Sequence, residues 1–216
     1  MELARVLKLA ASLRGAQRSY FRNFVVSLRD NPLKRKHFED IEAELATLDA
    51  AAWEHVKANT GPLFMKNETD RDWRGAASAL NEARAYNLLV RRGYTSVAFI
   101  PRHVEGKTPD LRARMGDVDI LCEAKTINRS ERAGASHLFA GFFTKLASTI
   151  KRADEQIAAF APSPGIKRIV YLAIDFDEAL HAYVEDYLAQ IQARRTEFVA
   201  PGLEIVLDVG ARVVEL

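Results

Sequence analysis

Between Pro109 and Lys125 apolar and polar positions alternate in two runs separated by Gly116-Asp117, with Leu121 the one apolar residue at a polar position. Gly followed by Asp is the chemistry of a two-residue primed turn, in which Gly supplies the positive φ at the first central position. The pattern predicts an antiparallel hairpin in which Met115 faces Val118, Ala113 faces Ile120 and Leu111 faces Cys122. On the alternate positions Arg114 faces Asp119, Arg112 faces Leu121 and Asp110 faces Glu123. Leu111, Ala113, Met115, Val118, Ile120, Cys122 and Ala124 then share an apolar face. Asp110, Arg112, Arg114, Asp119, Glu123 and Lys125 lie on the other, and a slip of one residue would scramble both.

Elsewhere the period is helical. Leu3, Leu7, Ala10, Phe21, Phe24 and Leu28 recur at a spacing that predicts an amphipathic helix from Glu2 to about Arg29, ended by Asn31-Pro32. A second helix, Leu33 to Ala58, carries Phe38, Ile41, Leu45, Leu48, Ala52 and Val56 and is stopped by Thr60-Gly61-Pro62. Together they make an αα-hairpin whose stripes must be buried against each other, the core domain or a second copy. A third helix runs from Thr69 or Asp70 to Arg92, with Gly93 past its end. Ala79, Glu82, Tyr86 and Leu89 share one azimuth, so the Glu82 carboxylate faces a core or cleft and needs a partner.

A first strand is expected at Ser96 to Pro101. After the hairpin come a helix from His137 to Phe160, with Phe139, Phe142, Leu146, Ile150, Ala153, Ile157 and Phe160 on its buried side, and a nearly continuous apolar strand from Ile166 to Ile174. A helix from Glu178 to Arg195 and a last strand, Leu203 to Val209, close the chain. The reading is an α/β protein: an N-terminal helical hairpin over 1–60, and over 61–216 a domain with a mixed central sheet flanked by helices.

Composition narrows the class. With 216 residues, 48% of them hydrophobic, the chain supports one substantial core and a small appended subdomain. Its single cysteine, Cys122, excludes a disulfide framework and a thiolate metal cluster. No apolar run is long enough to span a membrane, and Lys8 and Arg14 break up the N-terminal segment, so a cytoplasmic protein is expected. The net charge of +2 hides an asymmetry: residues 1–36 hold nine Lys or Arg against two acids, and residues 37–58 one against six. Such a basic cluster attracts nucleic acid, or is a solvated helix face paired with the acidic helix after it; both readings stand. The long stripes suit a homodimer or substrate docking through these N-terminal helices.

The hairpin carries the chemistry. Two carboxylates directly across an antiparallel pair have Cβ atoms roughly 5 Å apart and repel. A divalent cation between Asp110 and Glu123, with Lys125 beside it, would resolve the repulsion, and hard oxygen ligands suit Mg²⁺ or Mn²⁺. Asp119, about 13 Å along the strand from Glu123, is expected to pair with Arg114 instead.

Pro109-Asp110 followed by Glu123-Ala124-Lys125 resembles the PD-(D/E)XK nuclease superfamily, the restriction-endonuclease-like fold. Gln156-Ile157-Ala158-Ala159-Phe160 resembles the Q-x-x-x-Y signature of its exonuclease branch, with Phe in place of Tyr. The resemblance covers about residues 69 to 175 and implies an αβββαβ core. It implies that Asp110, Glu123 and the Ala124 carbonyl hold Mg²⁺, that Lys125 assists the attacking water, and that Glu82 supports the metal position. Gln156 and Arg112 are candidate substrate contacts, as is His103 in the turn-rich segment before the hairpin. Glu82 in a buried salt bridge, Arg112 balancing the local acids, and Gln156 and His103 as surface residues are the bland alternatives. The function implied is a metal-dependent nuclease, with DNA favoured over RNA. The alternatives are an RNA-cleaving nuclease and a catalytically silent nucleic-acid-binding or assembly module.

Overall fold

The computed structural model describes residues 2–12, 24–65, 70–101, 108–129, 137–163, 165–176, 178–209 and 212–216. The chain divides into two compact units, Met1–Arg91 and Arg92–Leu216. The first is helical: α1 (Ala4–Ser12), α2 (Phe24–Asp30), α3 (Pro32–Ala46), α4 (Ala50–Met65) and α5 (Asp70–Arg91). The stretch expected to join α1 and α2, residues 13–23, lies outside the described residues.

The second expected helix is broken in two. Asp49 Oδ1 accepts the Ala52 N–H at 2.8 Å, which makes Asp49 the N-cap of α4. Nor does Thr60-Gly61-Pro62 stop it, since α4 runs on to Met65. Trp53, Val56 and Thr60 are buried, and this packing outweighs the poor propensity of Gly and Pro. The stripe on α5 is as expected, with Ala79, Glu82, Tyr86 and Leu89 all buried. Tyr86 donates its hydroxyl to Asp49 Oδ2 at 2.9 Å, and Asn87 donates to the Glu44 backbone and carboxylate oxygens at 2.8 and 2.7 Å. These bonds tie α5 to the helices before it, so the first unit ends at Arg91 rather than at residue 60. Gly93 follows with φ of +77°, the left-handed conformation expected past a helix end.

Buried Glu42 accepts the backbone N–H groups of Arg5 and Val6 at 2.8 to 3.0 Å, capping α1 from α3. The Arg5 guanidinium in turn donates to the carbonyls of Leu45 and Leu48. Glu42→Ala leaves helix-end donors unsatisfied, so we expect a loss of about 2 kcal/mol, measured as a lowered urea midpoint with unchanged slope.

The second unit is built on one open sheet in the order β1 (Thr95–Phe99), β2 (Leu111–Met115), β3 (Val118–Arg129), β4 (Lys167–Phe176), β5 (Leu203–Val209), β6 (Arg212–Glu215). β3, β4 and β5 are mutually parallel and the other neighbours antiparallel, so the sheet is mixed. β6 has no counterpart in the sequence reading, being a four-residue edge strand with a mostly exposed pattern. α6 (Ala140–Phe160) makes the crossover from β3 to β4. A 3₁₀ stretch, Glu178–Tyr183, and α7 (Val184–Ala193) make the next, where the spacing predicts one continuous helix.

One sheet face is thereby covered. Leu121 and Ile127 of β3, Val170, Leu172 and Ile174 of β4 and Ile205 and Leu207 of β5 pack with Phe142, Leu146, Ile150 and Ile157 of α6 and Tyr187 and Ile191 of α7. Phe143 joins this core, whereas Phe139 and Phe160, expected on the buried side, are exposed at the two ends of the helix. No helix among the described residues is long and apolar enough to cross a membrane.

Candidate active site

The hairpin forms in the expected register, from Met115 opposite Val118 to Leu111 opposite Cys122. Gly116 has φ of +59°, as the turn requires. Arg114 and Asp119 pair at 3.4 Å. Leu111, Ala113, Ile120, Cys122 and Ala124 are buried, while Met115 and Val118 at the tip are exposed. The face of Glu123 departs from expectation, because on β3 it is not a solvent face. Leu121 and Ile127 bracket Glu123 and Lys125 on it, α6 lies over it, and Glu123 is 1% exposed.

Asp110 sits at the foot of β2, where its backbone carbonyl accepts the Ile100 N–H at 2.9 Å. Its carboxylate crosses to β3: Oδ2 accepts the Ala124 N–H at 2.9 Å. The same register brings it into hydrogen-bond contact with Glu123. Lys125, about one-third exposed, donates its ammonium to Glu123 Oε1. The other oxygen, Oε2, accepts from Gln156 Nε2 at 2.8 Å, and that amide also donates to the Thr108 carbonyl at 2.7 Å. Gln156 is therefore a clip between α6, the start of β2 and the buried carboxylate.

Burial, and then the neighbouring Asp110 charge, push Glu123 up to about 7, with Lys125 opposing the shift. Two carboxylates held this close require either a shared proton or a cation. Their donor chemistry, two hard carboxylate oxygens beside a backbone, fits Mg²⁺ or Mn²⁺. Among the described residues no group of three or more His, Cys, Asp or Glu side chains offers a fuller metal cage. Cys122, directly behind Glu123 on the opposite sheet face, is held as a thiol well above its usual range by burial.

No protein-family model, no curated protein and no solved structure matches this chain. The site's meaning rests on its geometry. Of the residues singled out from the sequence, Asp110, Glu123, Ala124, Lys125 and Gln156 come together in the second unit. Arg112 lies on the same face, exposed, one position beyond Asp110 in the alternation. Glu82 belongs to the first unit, where it is buried on the α5 stripe. His103 lies outside the described residues. Thr108 and the Ala124 N–H were not anticipated. The second was available from the register, since a residue paired with Glu123 lies beside the amide of Ala124.

Replacing Gln156 with Leu strips a hydrogen bond from buried Glu123 and from the Thr108 carbonyl. We expect a cost of about 1 to 3 kcal/mol, seen as a lower thermal midpoint at pH 8. The deficit should shrink at roughly pH 5, where Glu123 is protonated and needs less stabilisation.

Proposed function

We propose that this protein is a metal-dependent nuclease of the PD-(D/E)XK type with a restriction-endonuclease-like core, acting on DNA in preference to RNA. One observation carries the reading: two carboxylates from adjacent strands meet beside an ammonium on a hairpin of the register that the motif requires. Asp110, Glu123 and the Ala124 carbonyl are the groups that would hold Mg²⁺, which supplies an activated water and neutralises charge developing on the phosphate.

The chain's own groups do the rest. Lys125, held against Glu123 yet partly open to solvent, presents N–H donors to phosphoryl oxygens and orients the attacking water. Gln156 fixes the Glu123 carboxylate, and the Ala124 N–H fixes that of Asp110, so neither has to be organised when substrate arrives.

Incubating the full chain with labelled single- and double-stranded DNA and RNA, each with Mg²⁺, Mn²⁺ or EDTA, tests the proposal. We expect cleavage of DNA with either metal and none in EDTA. Cleavage of RNA alone would reverse the substrate preference. Metal-independent cleavage, or none of any substrate, would remove the nuclease assignment.

A further inference from the structure

Gln156 fixes which flank of α6 looks toward the β2–β3 junction, because its amide reaches both Glu123 and Thr108. Residues four and eleven positions earlier return to that azimuth within about 40°. They are Arg152 and Lys145, both exposed, with Thr149 between them. As the crossover between two parallel strands, α6 runs antiparallel to β3, so the step from Gln156 to Lys145 has the same direction as that from Glu123 to Lys125. Arg152 stands about 6 Å along, level with Lys125, and Lys145 about 16 Å along. In the opposite direction Arg112, in register with Leu121, lies on the same sheet face about 7 Å before Glu123.

Among the described residues the cations around the site divide into two sets. Arg114 pairs with Asp119, Lys125 with Glu123, Lys151 with Glu155 and Arg168 with Asp154. Among the described residues Arg112, Lys145 and Arg152 make no ion pair. Among the described residues, the cations that make no ion pair therefore lie on either side of the carboxylate pair, along one line.

We propose that Arg112, Arg152 and Lys145 form a track for the sugar–phosphate backbone of a nucleic-acid strand passing over Asp110 and Glu123. This deepens the nuclease reading and rests on it for the fate of the strand. The track runs about 23 Å, which at 3.4 Å per nucleotide is room for about seven. Its contacts go to phosphates, so it positions the strand without reading sequence.

Fluorescence anisotropy of the full chain in EDTA, with labelled single-stranded DNA, duplex DNA and RNA over a salt series, tests this. Lys145→Gln with Arg152→Gln should weaken binding about 25-fold on single strands to about 60-fold on duplex near 0.1 M salt. It should also flatten the slope of log affinity against log salt by about 1.8 on duplex or about 1.4 on single strands, which identifies the form bound. Arg112→Gln should act in the same sense, and Lys151→Gln, on another flank and already paired, should match the parent protein. All four positions are exposed, and thermal melts check that the variants fold. Flank variants that bind as Lys151→Gln does, or a parent protein with no salt-dependent binding, would overturn the track. Binding in EDTA needs no catalysis, so failure of the nuclease reading alone would show as intact track binding without metal-dependent cleavage.

Discussion

Lys125→Met should lower metal-dependent cleavage about a hundredfold or more, and Glu123→Gln at least as much. Glutamine is the informative replacement at 123. Its amide keeps the volume of a side chain buried under α6 and leaves an oxygen to accept from Gln156 or Lys125. Glu123→Ala instead opens a void and orphans both donors, so it would confuse loss of chemistry with loss of fold. Lys125→Met carries a second signature. Removing the ammonium takes away the charge that opposes the upward shift of Glu123, so the Glu123 titration should move still higher. Single-turnover cleavage together with a carboxyl titration followed by NMR would measure both. Undiminished cleavage by both variants would remove the active-site assignment.

Asp110→Asn is expected to make the metal-free protein more stable. Glu123, raised to about 7 from an ordinary value of 4.5, binds its proton more tightly folded than unfolded. Between these values the unfolded chain holds fewer protons, so stability falls as pH rises through the window from roughly 4.5 to 7 and stays low above it. The whole penalty is of order 3 kcal/mol, with burial its largest cause and the Asp110 charge the next. The substituted amide would retain an oxygen for the Ala124 N–H and add an N–H donor facing Glu123. Removing the repulsion should return about 1 kcal/mol at pH 8, a rise of about 2 to 4 °C in thermal midpoint in EDTA. The same variant should lose the stabilisation that Mg²⁺ gives the parent protein. A lower midpoint in EDTA, or an undiminished gain from Mg²⁺, would show that the two carboxylates do not share an ion.

What was legible in the sequence was what period and turn chemistry determine. Alternation around Gly116 fixed the hairpin register, and the register placed Asp110 against Glu123. The continuous apolar run of β4 marked a strand buried on both faces. Less legible was what covers a face. Leu121 and Ile127 flank Glu123 on its own side of the strand, and that was the available sign that a helix, not water, lies over it. The break at Asp49 and the passage of α4 through Gly61-Pro62 are tertiary outcomes, decided by capping and burial against local preference. The attachment of α5 to the first unit depends on Tyr86 and Asn87 meeting residues some forty positions earlier, contacts that periodicity does not encode. β6 is too short and too exposed to leave a pattern.

The most direct test of the shared carboxylate site is a calorimetric titration of the full chain with Mn²⁺ in two buffers of different ionisation enthalpy, at roughly pH 6 and pH 8.5. With Glu123 raised to about 7, the cation must displace the proton between the carboxylates at the lower pH. A shared site predicts binding of about one ion per chain, release of nearly one proton at pH 6 and almost none at pH 8.5, and the loss of both in Glu123→Gln. No saturable binding, or binding with the same proton release at both pH values, would contradict it.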